Sequence, residues 1–298
     1  IIGLAWIHTK TIQVSGKFQD YSSVIKLLFV FILIAVGFTF LPYEPNALSF
    51  DNSWTSDIWK PGFAVSLIYV TYAYQGWNSA AYIVDEIREP RRNLPLALIG
   101  GTLTVTLVYV LLQLVFLRHA SIGQLEGQVE VATIAFINIA GEQWAKLVSY
   151  FIAIQLVATI SGYLWIGSRI TFAMAKEHPL WHFIAIKTEG GVPVRAIWLQ
   201  VIISSLLTLT GTFEQVMIYA GFVLQLMSTL TISSIFFIDK KPNTFKGPFG
   251  HKLQVFYILF SIVVLSYLLY ERPVESLIGL SILLVGGITF FLRKGDAK

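Results

Sequence analysis

The 298-residue chain contains no cysteine, so disulfides and thiolate-ligated metal centres are excluded and nothing can be read about a redox compartment. Charge is scarce as well: 13% of residues are Asp, Glu, Lys or Arg, against roughly a quarter in a soluble globular domain. The five histidines (His8, His119, His178, His182 and His251) are scattered without metal-ligand spacing. Neither paired carboxylates nor a Ser/His/Asp set converge within one segment, and the glycines form no phosphate loop. Hence no enzyme activity, metal or cofactor is expected. The opening IIGLAWIH is not preceded by a basic n-region and carries no small-residue cleavage site, so no signal peptide is expected and the sequence reads as one met in the middle.

What the chain has in abundance is apolar residues, 55% of the total, with a mean hydropathy of +0.70. They fall in blocks of about 18 to 25 with charges confined to the gaps, the pattern of repeated bilayer crossings. Spans are expected at residues 22–41, 62–84, 94–117, 144–170, 194–211, 215–238, 253–270 and 275–292. Residues 1–8 are too few to cross and read as the tail of an earlier helix. The whole of 1–298 is thus expected to be one fragment of an all-α transmembrane domain. No low-complexity tract or soluble second domain interrupts it.

Sidedness follows from Lys and Arg alone. One set of gaps carries sixteen of them, the alternate set only Lys60, Arg118, Lys146 and Arg272, and Lys26 lies inside a span. The richer side is assigned to the cytoplasm, which places both ends of the segment there. The net charge of +4 then reflects sidedness and implies no nucleic-acid partner. Residues 119–143 are expected outside, with VATIAFINIAG as a short helix along the membrane face. The loop 173–193, AMAKEHPLWHFIAIKTEGGVP, is cytoplasmic, long and amphipathic, and ends in a Gly-Gly, Pro break.

The second span is unusual, since Gln75, Gly76 and Asn78 occupy its middle, where a lipid-facing helix favours Leu or Val. Polar groups at that depth are costly and face the bundle or a water-filled cavity. A glycine flanked by polar residues marks a place where the helix can unwind, and unwound backbone is tolerated only along a cavity. By itself the span also admits an intact helix with a packing glycine. Lys26 has two readings too, an ammonium snorkelling to the interface or a buried functional charge.

The string YAYQGWNSAAYIVDEIREPRRNLPLALIGG resembles the sixth helix and following loop of the amino acid/polyamine/organocation (APC) transporters, in particular the L-type amino-acid transporter branch. KFQDYSSVIKLL resembles the start of the fifth helix, GSRITFAMAKEHPLW the end of the eighth, and VPVRAIWLQ the start of the ninth. The resemblance therefore runs over nearly the whole chain, from the tail of helix four to helix twelve. It implies the last eight spans of a LeuT-like, five-plus-five inverted-repeat fold with a broken sixth helix, lacking the preceding helices. The implied function is secondary amino-acid transport by alternating access in a plasma or bacterial inner membrane.

Carried onto this sequence, the resemblance implies that backbone carbonyls around Tyr72, Ala73 and Gln75 receive the substrate α-amino group. Tyr72 is the implied aromatic lid, and Tyr74, Gly76, Trp77 and Asn78 complete or floor the pocket. Gln75 departs from relatives that carry a small residue there, which puts side-chain preference in question. Lys26, facing Thr159 of the eighth helix, is implied to stand where sodium-coupled relatives hold their ion, making bound sodium unnecessary. Glu86 and Arg169 are a possible cytoplasmic gate, beside the alternative of two solvated interfacial charges. A non-transporting truncated segment or a helper subunit is the other function considered.

Overall fold

The computed structural model describes residues 1–9, 12–41, 54–82, 84, 87–237 and 250–291, and among these there is no strand. The chain forms α1 (Ile2–His8), α2 (Ile12–Thr39), α3 (Trp54–Asp57), α4 (Pro61–Ala73), α5 (Ser79–Tyr82), α6 (Pro90–His119), α7 (Ile122–Leu125) and α8 (Val131–Ala140). It continues with α9 (Glu142–Glu177), a 3-10 turn (Pro179–Ile184), α10 (Val194–Thr210), α11 (Phe213–Ser233), α12 (Lys252–Glu271) and α13 (Pro273–Phe291). Among the described residues five helices are long and apolar enough to cross a bilayer: Asp20–Thr39, Pro90–His119, Glu142–Glu177, Phe213–Phe236 and Lys252–Glu271. α8, α10 and most of α13 are shorter apolar helices. The protein is an all-α membrane protein.

Local chemistry sets the helix ends. Pro61 and Pro90 occupy first-turn positions of α4 and α6, where the missing N–H costs nothing and the fixed φ is already helical. Thr212 and Gln215 form a reciprocal capping box that starts α11. α2 begins ten residues before the apolar block that announces it, because hydropathy registers only the part of a helix that needs lipid. α9, with 36 residues, likewise outruns its expected span at both ends. At about 1.5 Å per residue it is some 54 Å long, well beyond about 30 Å of hydrocarbon.

Two compact units divide the chain. The first comprises Ile1–Phe50 and Trp77–Ile203, and the second Asp51–Gly76 and Ser204–Lys298. In the first, α2, α6, α8 and α9 pack round Leu33, Val115, Phe136, Ile139, Ala145 and Val148. Further clusters join α1, α9 and α10 through Ala5, Leu164, Ile197 and Val201, and the 3-10 turn to α9 and α10 through Ile184, Ala175 and Ala196. In the second, α4, α11 and α12 close on Ile68, Ile218, Phe222, Val264, Leu265 and Leu268.

The second unit also buries a polar pair: the Gln225 Nε2 donates to Ser261 Oγ at 2.8 Å, and both residues are fully buried. Ser261→Ala strips that donor of its acceptor inside the bundle. Unfolding of the purified chain in denaturing detergent should report a loss of about 1–3 kcal/mol. Adding Gln225→Leu, which removes the orphaned amide, should restore most of it.

Candidate functional site

The polar interruption of the second span is a real break. α4 ends at Ala73 and regular helix resumes only at Ser79. The ladder tightens as it ends, since the Tyr74 N–H is shared between the Val70 and Thr71 carbonyls at 3.2 Å each, and the Gln75 N–H reaches only three residues back, to the Tyr72 carbonyl at 3.0 Å. Tyr74 sits at φ −94°, ψ 1°, and Gly76 then takes φ +110°. A Cβ on Gly76 would touch nothing within 4 Å, so its backbone conformation and not lack of room calls for glycine.

The break is also where the chain passes from one unit to the other, between Gly76 and Trp77. On its near side α4 packs on α11 and α12, and on its far side α5 packs on α6 and α9. Tyr72 and Ile68 lie over Gly221 of α11, where a methyl group would stand 3.1 Å from Ile68 Cγ2 and 3.8 Å from Tyr72 Cδ2. Tyr72, Ala73 and Trp77 are exposed, while Tyr74, Gln75, Gly76 and Asn78 are half-buried. The C-terminal end of α4 carries the partial negative charge of its last carbonyls, an environment suited to an ammonium group.

In the first unit, Lys26 Nζ donates to Thr159 Oγ1 at 2.8 Å, and that hydroxyl in turn donates to the Gln155 carbonyl at 3.0 Å. The ammonium is half-buried and turned towards α9. Of the two residues considered as a gate, Arg169 lays its guanidinium over the Trp165 ring, 4.3 Å from the centroid. Glu86 lies outside the described residues.

Two buried histidines escaped sequence reasoning. His8 Nε2 is 2.7 Å from Ser161 Oγ, fastening α1 to α9 two residues beyond Thr159. At about 100° per residue, positions 159 and 161 fall on roughly opposite faces, so α9 holds Lys26 on one side and His8 on the other. His119, fully buried at the end of α6, donates from Nε2 to the Gly37 carbonyl of α2 at 2.7 Å, and its own carbonyl accepts from Asn138 Nδ2 of α8 at 2.7 Å. Three helix segments meet there on two hydrogen bonds. Partners 153 and 82 residues apart leave no trace in local spacing, which is why these contacts were illegible. No group of three potential metal ligands occurs among the described residues.

Comparison with known proteins places this geometry in context. A family profile described as "Amino acid permease" matches residues 1–290. The chain is 27% identical to the large neutral amino acids transporter small subunit 2 of Oryctolagus cuniculus, over 97% of its own length and 55% of the relative's. It is 26% identical to the Asc-type amino acid transporter 1 of Mus musculus, covering 97% of this chain and 56% of that one. With the b(0,+)-type amino acid transporter 1 of Homo sapiens the identity is 24%, over 98% and 60%. The chain thus spans little more than half the length of the curated relatives it matches.

Proposed function

Because the chain belongs to the amino acid permease family, we propose that it forms the larger part of a secondary active transporter that carries amino acids by alternating access without sodium. The observation that carries this reading is the break at residues 74–78, an unwound stretch in an otherwise apolar span. Unwound backbone within a crossing segment needs a polar cavity beside it, and the helix end it creates suits the ammonium of an amino acid. Carbonyls around Tyr72, Ala73 and Gln75 would take that group, with the Tyr72 ring as lid and Tyr74, Gly76, Trp77 and Asn78 lining the pocket. The Gln75 side chain would meet the substrate's own side chain.

Lys26 and Thr159 support the absence of sodium. An ammonium fixed on a hydroxyl puts a positive charge in such a site, and a metal cation would be repelled from it. Exchange or proton coupling remain as driving modes. The Lys and Arg asymmetry assigns both ends of the segment to the cytoplasmic side. Since the relatives are longer, the activity is attributed to a full-length protein in which additional N-terminal helices complete the binding site.

The test is uptake of radiolabelled neutral amino acids by proteoliposomes holding the full-length protein. Uptake should exceed that of empty vesicles and persist when choline replaces sodium. Strict sodium dependence would overturn the role given to Lys26, and absence of uptake of any amino acid would overturn the transport reading. The 298-residue chain, reconstituted alone, should not transport.

A further inference from the structure

The connection between α9 and α10 is built more firmly than a linker requires. Within it the 3-10 turn Pro179–Ile184 directs Ile184 inward, 3% exposed, onto Ala175 of α9 and Ala196 of α10. The same turn directs Leu180, Trp181 and Phe183 outward, with Phe183 58% exposed. The Trp181 and Phe183 rings stand 6.3 Å apart, tilted by 34°, and form a single ridge. Beside that ridge two exposed cations are held in place. Arg195 Nη1 donates to the Phe183 carbonyl at 2.6 Å, and Lys187 Nζ rests 4.5 Å from the centroid of the Phe172 ring.

The depth of this ridge follows from α10. That helix has 17 residues, a rise of about 25 Å, against about 30 Å of hydrocarbon. As one crossing of the bilayer it would have no turn to spare outside the hydrocarbon, and its first turn, which carries Ala196, would lie at the boundary. Ile184 packs on that turn, so the same crossing would set the outward ridge at headgroup level. Aromatic rings with an apolar body and a polar tip are favoured there, and cations beside them meet phosphate.

We propose that this connection is a membrane-surface foot that seats Leu180, Trp181 and Phe183 in the headgroup layer and pairs Lys187 and Arg195 with anionic phospholipid headgroups. Lys176 lies on the last turn of α9 in the same segment and adds a third basic group; the acidic residues of the segment are Glu177 and Glu189. Arg195 has a second duty, since its bond to the Phe183 carbonyl fixes the turn, whereas Lys176 and Lys187 can be neutralised without touching that bond.

The absence of cysteine makes the test direct. Leu180→Cys and Phe183→Cys, each carrying a nitroxide, are reconstituted in phosphatidylcholine vesicles with and without roughly one third phosphatidylglycerol. Accessibility to oxygen and to a water-soluble nickel chelate is then compared. In anionic vesicles both labels should be shielded from nickel and open to oxygen, and the ratio of docked to undocked label should fall by about five-fold for each charge removed in Lys187→Gln and in Lys176→Gln plus Lys187→Gln. Equal shielding in both vesicle types, or indifference to the lysine changes, would overturn the anionic pairing. Labels open to nickel everywhere would overturn the foot itself, as would docking that needs an added protein. Quenching of Trp181 by brominated phosphatidylglycerol, taken as the difference from Trp181→Phe, checks the same depth without labels.

Discussion

Under the proposed transport function, Lys26→Met in the full-length protein is expected to lower amino-acid uptake by about ten-fold or more while leaving the protein folded. The ammonium donates to Thr159 Oγ1, and hydrogen bonds from charged groups contribute about 1.5–3 kcal/mol each. Stability should change less than activity, because methionine retains the length and apolar character of the stem and removes a charge that is costly to hold inside a membrane. Thr159→Val tests the other half of the contact. It should reproduce part of the loss, and the double variant should be no worse than Lys26→Met, since both remove one interaction. Full uptake by Lys26→Met would show that the pair is structural. A fall in expression matching the fall in uptake would point the same way.

A second large effect on the fold is expected where α2 crosses α6. A methyl group on Gly37 would collide with both γ-carbons of Val115, a fully buried, β-branched side chain with little freedom to turn away. Gly37→Ala should therefore destabilise the chain by about 1–3 kcal/mol, in spite of the better helix propensity of alanine. Displacing the α2 backbone also strains the bond from His119 to the Gly37 carbonyl. Val115→Ala alone should cost a comparable amount through the cavity it leaves among Leu33, Phe136 and Ile139. Combined, the methyl added at position 37 fills part of the space left by the two γ-methyls of Val115, and the double variant should be more stable than the sum of the singles by about 0.5–3 kcal/mol. Strict additivity in a denaturation series followed by circular dichroism would mean that the two helices do not meet as described.

The helices were legible because their driving force is local. Blocks of apolar residues long enough to cross a bilayer, bounded by charges, fix where a helix must be, and α6, α10, α12 and α13 begin and end within a few residues of those blocks. Helix beyond the lipid is not announced that way, so the polar start of α2 and the last turns of α9 went unseen. The break in the second span was legible as polarity at Gln75, Gly76 and Asn78, but polarity alone admits an intact helix, and the backbone separates the two, by φ at Gly76 and by the ladder that closes at Tyr74 and Gln75. Lys26 and Thr159 could be paired through resemblance alone, since nothing in a sequence joins positions 133 apart. Where no resemblance helped, as for His8 with Ser161 or His119 with Gly37, buried histidines looked like scattered ones. Charge identity was visible throughout, whereas charge partners were not: Arg272 meets Glu214 across 58 residues, a partly exposed pair contributing less than about 1 kcal/mol.

Gly76 has a consequence for inheritance. Every amino acid one nucleotide away from a glycine codon carries a Cβ, and at φ +110° each of them is strained even though the space beside the residue is open. A missense allele at this codon would thus yield a protein whose helices still insert but whose break is strained by about 1–3 kcal/mol. Under the proposed function such an allele would separate amount from activity, with near-normal protein in the membrane and reduced amino-acid uptake.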